Sequence, residues 1–406
     1  MSRRYNLFTA GLVYAGMFLQ PAVAQSIELT GRLSLLGMAT RAELGDAGYS
    51  ASNQLLMADQ QSLRLMLEDA GESSEWSVHM RAVRQNFIRY SAASVHSSDL
   101  FRYRKLSGNW QEYVTADRTT RSGYELDRAV YKHRFENVTF AVGRQPIDWG
   151  SGRFWQPLNV FGAFAPTDLD TDFKPGIDAA VFDWYPSAFS SLTLAYVPRS
   201  DVRHVTAGSS ILHYRRQVGE SSEIALLGGS VIGKGVAGGS FESEWQGIGW
   251  RIEGVHYKAD NSAVFWIAGI DYQFEDGTLI AIEWYDNTGG VNSETMLATA
   301  QNDPRVVYGL QQHSGRRVLG MAANRDITPL LHGSYSLFIS ALQDNRQQLT
   351  TSLLHQLSLI YSVSNESDLL FSLLFANGKG LNLQSAPQSE FGHIPASATL
   401  RYRFYF

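Results

Sequence analysis

Four ionisable side chains stand close together in one aromatic-rich stretch. From Gly143 to Asp178 the chain reads GRQPIDWGSGRFWQPLNVFGAFAPTDLDTDFKPGID, with Arg144, Asp148, Arg153 and Lys174 set among Trp149, Phe154, Trp155, Phe161 and Phe164. Charged groups around a narrow opening select which solutes pass, and flat aromatic faces offer sugar rings a surface. A plainer reading uses the same residues: the aromatics form the loop's own small core, and Asp148 and Arg153 make an internal salt bridge. The stretch holds too much Gly and Pro for a strand or helix, and too many rings for a solvated linker. Long loops that carry their own apolar groups are usually functional. Gly150, Gly152 and Gly176 are expected where the backbone needs positive φ.

Within this stretch, Asp168-x-Asp170-x-Asp172 has the carboxylate spacing that opens a calcium loop. The sixth position is Phe173 where Gly is needed and the twelfth is Ala179 where Glu is needed. The three aspartates are therefore a weak metal candidate, and no metal is assigned. No Ser/His/acid set stands out, and His79, His213 and His355 fall inside strand-like segments without metal-ligand spacing. With no cysteine, disulfides and thiol chemistry are excluded. Neither a cofactor nor an enzymatic activity is expected.

The elements that must hold this loop are legible from both ends of the chain. Arg3 and Arg4 precede a mostly apolar run from Leu7 to Leu19, and Ala22-Val23-Ala24 supplies a small-x-small cleavage site. That is the pattern of a secretory signal peptide, residues 1–24, removed near Ala24. At the other end Ala398, Leu400, Tyr402, Phe404 and Phe406 alternate with Ser397, Thr399, Arg401, Arg403 and Tyr405, a two-faced strand. Between them, alternation predicts strands near 27–35, 63–68, 76–82, 124–134, 138–146, 177–185, 190–198, 210–217 and 222–231. Further strands follow near 235–244, 247–258, 263–274, 278–287, 316–325, 331–342, 349–363, 368–377 and 396–406. Strand 124–134 alternates poorly, because Arg128 and Lys132 share a face with Leu126 and Val130.

Tight connections alternate with those that include all the long ones: 40–56, 89–123, 147–176, 200–209, 288–315 and 378–395. Short periplasmic turns and long extracellular loops are the mark of bacterial barrels. The fold class is therefore all-β: a transmembrane antiparallel up-and-down β-barrel of about eighteen strands, sixteen being the next count. Residues 25–406 form that barrel, and 147–176 folds into or over the lumen. Aromatic residues make up 12% of the chain, which suits girdles at the membrane interfaces. After residue 24 no run approaches the length of a membrane helix.

The inward charges divide by position. Arg32, Arg64, Arg81, Arg401 and Arg403 come from the last strand and the first three, neighbours once the barrel closes. Glu242, Glu253, Asp271 and Glu283 come from the opposite arc. Such a lumen puts a transverse field across permeating solutes, unless these groups simply pair across strands. A formal net charge of -5 gives no reason to expect nucleic acid.

The run from Val142 to Trp155, followed by Pro157, Phe161, Pro166, Asp172, Pro175-Gly176 and Asp178, resembles the signature of a large, mostly uncharacterised group of proteobacterial outer-membrane barrels. That group is broadly similar to the alginate-export and phosphate-selective porin-like barrels. The resemblance implies a passive conduit with an inward-folded loop in the outer membrane of a Gram-negative cell. The chain departs from a dedicated polyanion exporter in lacking a dense arginine lumen. The expected function is a porin-like channel for small hydrophilic or charged solutes. A substrate-specific export conduit for a polysaccharide or hydrophobic compound, and a plugged barrel with a structural or adhesive role, are the alternatives. Expected partners are outer-membrane lipid, lipopolysaccharide, the barrel-assembly machinery through Phe406, and further copies in a homo-oligomer.

Overall fold

The computed structural model describes residues 27–52, 54–90, 108–199, 207–258, 262–301, 303 and 310–406, with the side chains of 108–110 outside the description. The expected signal peptide and its cleavage site lie outside the described residues. Nineteen strands run antiparallel in one sheet: β1 Glu28–Arg41, β2 Leu55–Ala70, β3 Ser74–Ile88, β4 Gly108–Val114, β5 Arg118–Phe135, β6 Val138–Gln145, β7 Ile177–Ser187, β8 Ser190–Val197, β9 Ser209–Val218 and β10 Ser222–Val231. The chain continues through β11 Lys234–Trp245, β12 Ile248–Lys258, β13 Ala263–Gln273, β14 Leu279–Asn287, β15 Arg317–Thr328, β16 Leu331–Gln343, β17 Leu349–Ser364, β18 Ser367–Asn377 and β19 Ala396–Tyr405. Each barrel strand pairs with its sequence neighbours, and β19 closes on β1 from Arg32↔Tyr405 to Arg41↔Ala396. Among the described residues eighteen strands form the closed wall, and β4 is extra.

The extra strand corrects the expected loop 89–123. Residues 108–114 pair with the outer half of β5, from Gly108↔Glu125 to Val114↔Thr119. They occupy the edge that β6 leaves vacant, since β5–β6 pairing stops at Ala129↔Arg144. The poor alternation of 124–134 also has a local cause. His79 faces Arg128 but Met80 faces Leu126, so Asp127 is the additional residue of a β-bulge. Inward positions are Glu125 and Asp127 below the switch and Val130 above it, all buried. A bulge reverses which parity faces the lumen.

The strand ends joined by tight turns gather at one end of the barrel, and those that lead into all the long connections lie at the other, together with those that flank 232–233, 259–262 and 344–348. The outside of the wall is apolar and bare: Leu194, Leu226, Ile252, Ile270, Leu357 and Phe371 are all exposed. Near the tight-turn end, Trp184, Tyr185, Trp245, Tyr272, Phe274 and Tyr361 ring the barrel. In water such a surface would drive aggregation; in lipid it needs no partner. No helix among the described residues is long and apolar enough to cross a membrane, which says nothing of a barrel.

The buried core lies within the barrel. Trp155, Leu158, Val160 and Phe161 pack with Ile211, Leu227, Ile267, Tyr285 and Phe338. The inner faces of the middle strands are thus apolar where the long loop meets them, and the lumen is less uniformly polar than alternation suggests.

Phe406 finishes the seam. Gly31 N–H donates to the Phe406 carbonyl at 2.8 Å, and Phe406 N–H donates back at 3.0 Å. A Cβ on Gly31 would stand 2.2 Å from the Phe406 ring, whereas one on Gly37 of the same strand would meet nothing within 4 Å. Gly31→Val must push the exposed Phe406 ring off the strand and is therefore expected to lower the folded fraction modestly, at a cost of about 1 kcal/mol, the low end for overpacking. Heat-modifiable mobility on gels reads this directly, and Gly37→Val should fold normally. Equal behaviour of the two variants would rule out the ring-on-glycine seam.

Candidate functional site

The wall opens where β6 stops at Gln145 and β7 resumes at Ile177. The connection between them, here L3 (146–176), turns inward from a staple at its base. Arg144 and Asp178 are cross-strand partners, joined at 2.7 Å from Nε to Oδ1, while Nη1 of Arg144 donates to the Leu126 carbonyl at 3.0 Å. Both side chains are buried. Arg144, expected at the constriction, is instead structural: a bidentate guanidinium–carboxylate pair fixes the loop's exit geometry.

One end of L3 is held by the acidic wall. Glu253 of β12 accepts from Ser151 N–H at 2.5 Å and Leu158 N–H at 2.6 Å. Glu283 of β14 accepts from Arg153 N–H at 2.9 Å, Phe154 N–H at 3.1 Å and Trp155 N–H at 3.0 Å. A loop inside a barrel has no strand to bond with, so its N–H groups need other acceptors. These carboxylates supply them. Both are 1% exposed, so they anchor L3 rather than face an open lumen. The turn needs Gly150 at φ 118°. Gly152 serves a close approach instead, since a Cβ there would stand 1.7 Å from the Trp155 carbonyl oxygen.

The aromatics are packed, not presented. Trp155 is fully buried against Tyr285 and Phe338, and its indole N–H donates to His313 Nε2 at 2.9 Å. Trp149 stacks on His213 with centroids 4.8 Å apart. The expected Asp148–Arg153 bridge is replaced by two others. Asp148 pairs with Lys174 at 2.6 Å and accepts from Asn159, closing L3 on itself. Arg153 reaches Asp271 at 3.2 Å, beside Arg251, which bonds the same carboxylate. Arg153 and Asp148 are the candidates that keep large water-facing areas, 47% and 59% of their side chains.

The other end of L3 lies against the basic wall. Arg32, Arg64 and Arg81 face one another across three neighbouring strands. Like charges at directly opposed positions repel, so the rung needs anions. Asp170 takes Arg32 at 2.7 Å, and Asp172 takes Arg32 at 2.8 Å and Arg403 at 2.5 Å, with the Tyr405 hydroxyl donating to the same oxygen. Asp127, turned inward by the bulge, pairs with Arg64, and Glu125 pairs with Arg81 at 2.5 Å. Phe173 lies over Arg32 and Arg64, 4.8 and 4.2 Å from its centroid, and Arg401 donates to the Leu169 carbonyl. Burial alone would raise the Asp170 and Asp172 carboxyls. Arg32, and for Asp172 also Tyr405 and Arg403, outweigh it and hold both below the ordinary range.

The aspartate run therefore meets guanidinium cations on the wall. Asp168 lies apart from them, accepting from Ala165 N–H at 2.8 Å. Among the described residues no group of three or more His, Asp or Glu is placed to hold a metal ion. Glu242 lies near the tight-turn end opposite Glu223, away from L3's clamps. Four participants escaped the sequence reading: Glu125, Asp127, Phe173 and His313. Asp127 had a signal, because the irregular alternation around it marked a bulge.

Between residues 161–175 of L3 and the arginine rung lies a cleft of about 520 Å³, lined by Arg64, Arg81, Gln60, Phe164 and Asp168 among others. It has the volume of a small-solute site, and one wall carries guanidinium groups whose Nε atoms lack partners at Arg32, Arg64 and Arg81.

No family model matches the chain, and no curated protein matches it. Solved structures do. A BenF-like porin from Pseudomonas fluorescens Pf-5 superposes with TM-score 0.57 at 9% identity, covering 94% of this chain and 98% of that one. OccK5 (OpdH) of Pseudomonas aeruginosa gives 0.58 at 6% identity, covering 93% and 98%. OccAB4 of Acinetobacter baumannii gives 0.57 at 10% identity, covering 94% and 98%. The likeness spans nearly the whole of each chain and shows a common barrel fold.

Proposed function

We propose that this barrel is a porin-like channel of a Gram-negative outer membrane, passing small hydrophilic or charged solutes passively, with L3 setting its constriction. The observation that carries the reading is L3 itself, drawn across the lumen and tied to opposite walls, with a cleft of about 520 Å³ beside it that has arginines on one wall. The bare apolar exterior supports a place in outer-membrane lipid beneath lipopolysaccharide, with Phe406 offered to the assembly machinery. The fold shared with a porin supports conduction over catalysis, and no catalytic role is proposed.

The test is single-channel conductance of the refolded protein in planar bilayers, with and without replacement of residues 149–172 by a short Gly/Ser linker. Steady conductance that rises several-fold on loop removal is the expected result. A folded barrel silent in both forms would overturn the channel reading. The plugged-barrel alternative has one observation in its favour: both ends of L3 are anchored, at Glu253 and Glu283 on one wall and Arg32 and Arg403 on the other. It predicts silence in the native form and current only without the loop.

A further inference from the structure

We propose that the outward face of β1, β2 and β3 is where a second copy of this chain docks, side by side in the membrane, through reciprocal Asp59–Arg84 ion pairs. The proposal rests on the barrel's place in lipid and is independent of conduction.

The apolar exterior is interrupted on this face, and within the belt rather than at its rim. Outward positions on β2 read Leu55, Met57, Asp59, Gln61 and Leu63, and on β3 they read Met80, Ala82 and Arg84. Leu55 and Met57 toward the long-loop end, and Leu63 and Met80 toward the tight-turn end, are all exposed. The polar groups therefore have lipid-facing apolar neighbours on both sides. Arg84 faces Gln61 across one ladder and Ser122 of β5 across the other, so the polar row crosses three strands. Arg84 and Gln61 are exposed, and Asp59 is half-buried. A charge facing lipid destabilises a barrel according to its depth, and ionisable groups within a membrane turn toward protein or water. A lipid headgroup lies beyond the apolar belt, whereas these residues lie inside it.

The charge on this face is self-complementary. Asp59 Oδ1 accepts from the Gln61 amide at 3.1 Å and the Asn86 amide at 2.8 Å, and the Thr120 hydroxyl donates to Asn86 Oδ1 at 2.9 Å. The neutral groups are thus joined to one another. Among the described residues neither Asp59 nor Arg84 has an ion-pair partner. They stand on a diagonal, Asp59 facing Asn86 and Arg84 facing Gln61. A two-fold axis along the membrane normal sets Arg84 of each copy against Asp59 of the other, the reciprocal contact of an isologous dimer. Complementary charge of this kind fixes the register of an interface. Beside the charges the wall is hollow. Gly37 faces Asp59, and a Cβ on it would meet nothing within 4 Å. With Leu35, Leu369, Leu400 and Tyr402 it lines a groove of about 580 Å³ that reaches Arg84. That groove has room for apolar side chains of the second copy.

The test is energy transfer between donor- and acceptor-labelled copies mixed in phosphatidylcholine vesicles at a low protein-to-lipid ratio. The chain has no cysteine, so Glu275→Cys, in an exposed tight turn, takes the label. Otherwise native copies are expected to associate. Arg84→Asp or Asp59→Arg alone sets like charges against each other and should weaken association about tenfold. The two changes together restore opposite charges and should return it to within about threefold of native. Gly37→Trp fills the groove and should also separate the copies. Heat-modifiable mobility checks that each barrel is folded. Native copies that stay single overturn the proposal, and so does association indifferent to a single reversal or to Gly37→Trp. A double variant no better than the single ones overturns it as well. These vesicles hold no lipopolysaccharide, so a face that meets a glycolipid instead gives no transfer and sinks the dimer. Because energy transfer does not depend on current, the interface and the channel reading fail separately. Paired barrels that never conduct keep the interface and lose the channel; single barrels that conduct do the reverse.

Discussion

Changing Glu253 and Glu283 together to glutamine is expected to free one end of L3 and raise single-channel conductance several-fold. The two carboxylates accept five backbone N–H groups from residues 151–158, with both oxygens of each in use. Glutamine keeps the shape but replaces one oxygen with NH₂, a donor facing a donor. At least one N–H at each side chain then loses its acceptor, costing about 1–3 kcal/mol apiece. Removing two buried charges returns part of that cost, because their desolvation penalty also disappears. The net effect is local: the segment carrying Trp155 loosens while the strands keep their ladders. Trp155 emission should shift to the red as its ring leaves Tyr285 and Phe338. Conductance, emission and thermal midpoint all unchanged would show that the carboxylates do not hold the loop.

The architecture was legible because lipid imposes a period of two on every strand and parity on their number. Alternation around 263–274 or 349–363 depends only on neighbours in sequence, and so do the tight turns. The strand at 108–114 was not legible. It pairs along only half of β5, and GNWQEYV carries no sustained alternation. The division of lumen charge into a basic and an acidic arc was readable too, but its use was not. Glu283 meets L3 across a separation of 128 residues, and Arg32 meets Asp170 across 138. Nothing in local pattern links them. Arg144 was open to a better reading: if the two ends of an inward loop pair as a hairpin, Arg144 falls opposite Asp178, and opposed charges at such a position staple it.

The basic-wall end of L3 gives the second large effect. Asp170→Asn with Asp172→Asn removes two negative charges from beside Arg32 and Arg403 while preserving side-chain volume. The arginine rung then stands under-neutralised next to the cleft, and the channel should shift toward anions, with the anion-to-cation permeability ratio rising several-fold in a salt gradient. Protonation should mimic the substitution in the native chain. The folded-state pKa values of both aspartates lie below the unfolded value of about 3.9. A carboxylate depressed in this way contributes stability above its unfolded pKa and loses it as pH falls through its folded pKa. The clamp is thus intact at neutral pH and down to about pH 4, and it opens only below that. Arg401 and Tyr405, which face the pair from β19, stay protonated throughout, and Asp168, whose carboxyl burial raises, neutralises first. Other carboxylates of the barrel also titrate in acid, so the informative quantity is the difference between native and double-variant proteins. The native channel should gain anion preference below about pH 4, and the variant should already have it at pH 7 with a much smaller acid step. An acid step of equal size in both, or a variant with native selectivity at pH 7, would mean that Asp170 and Asp172 do not govern the charge of the opening.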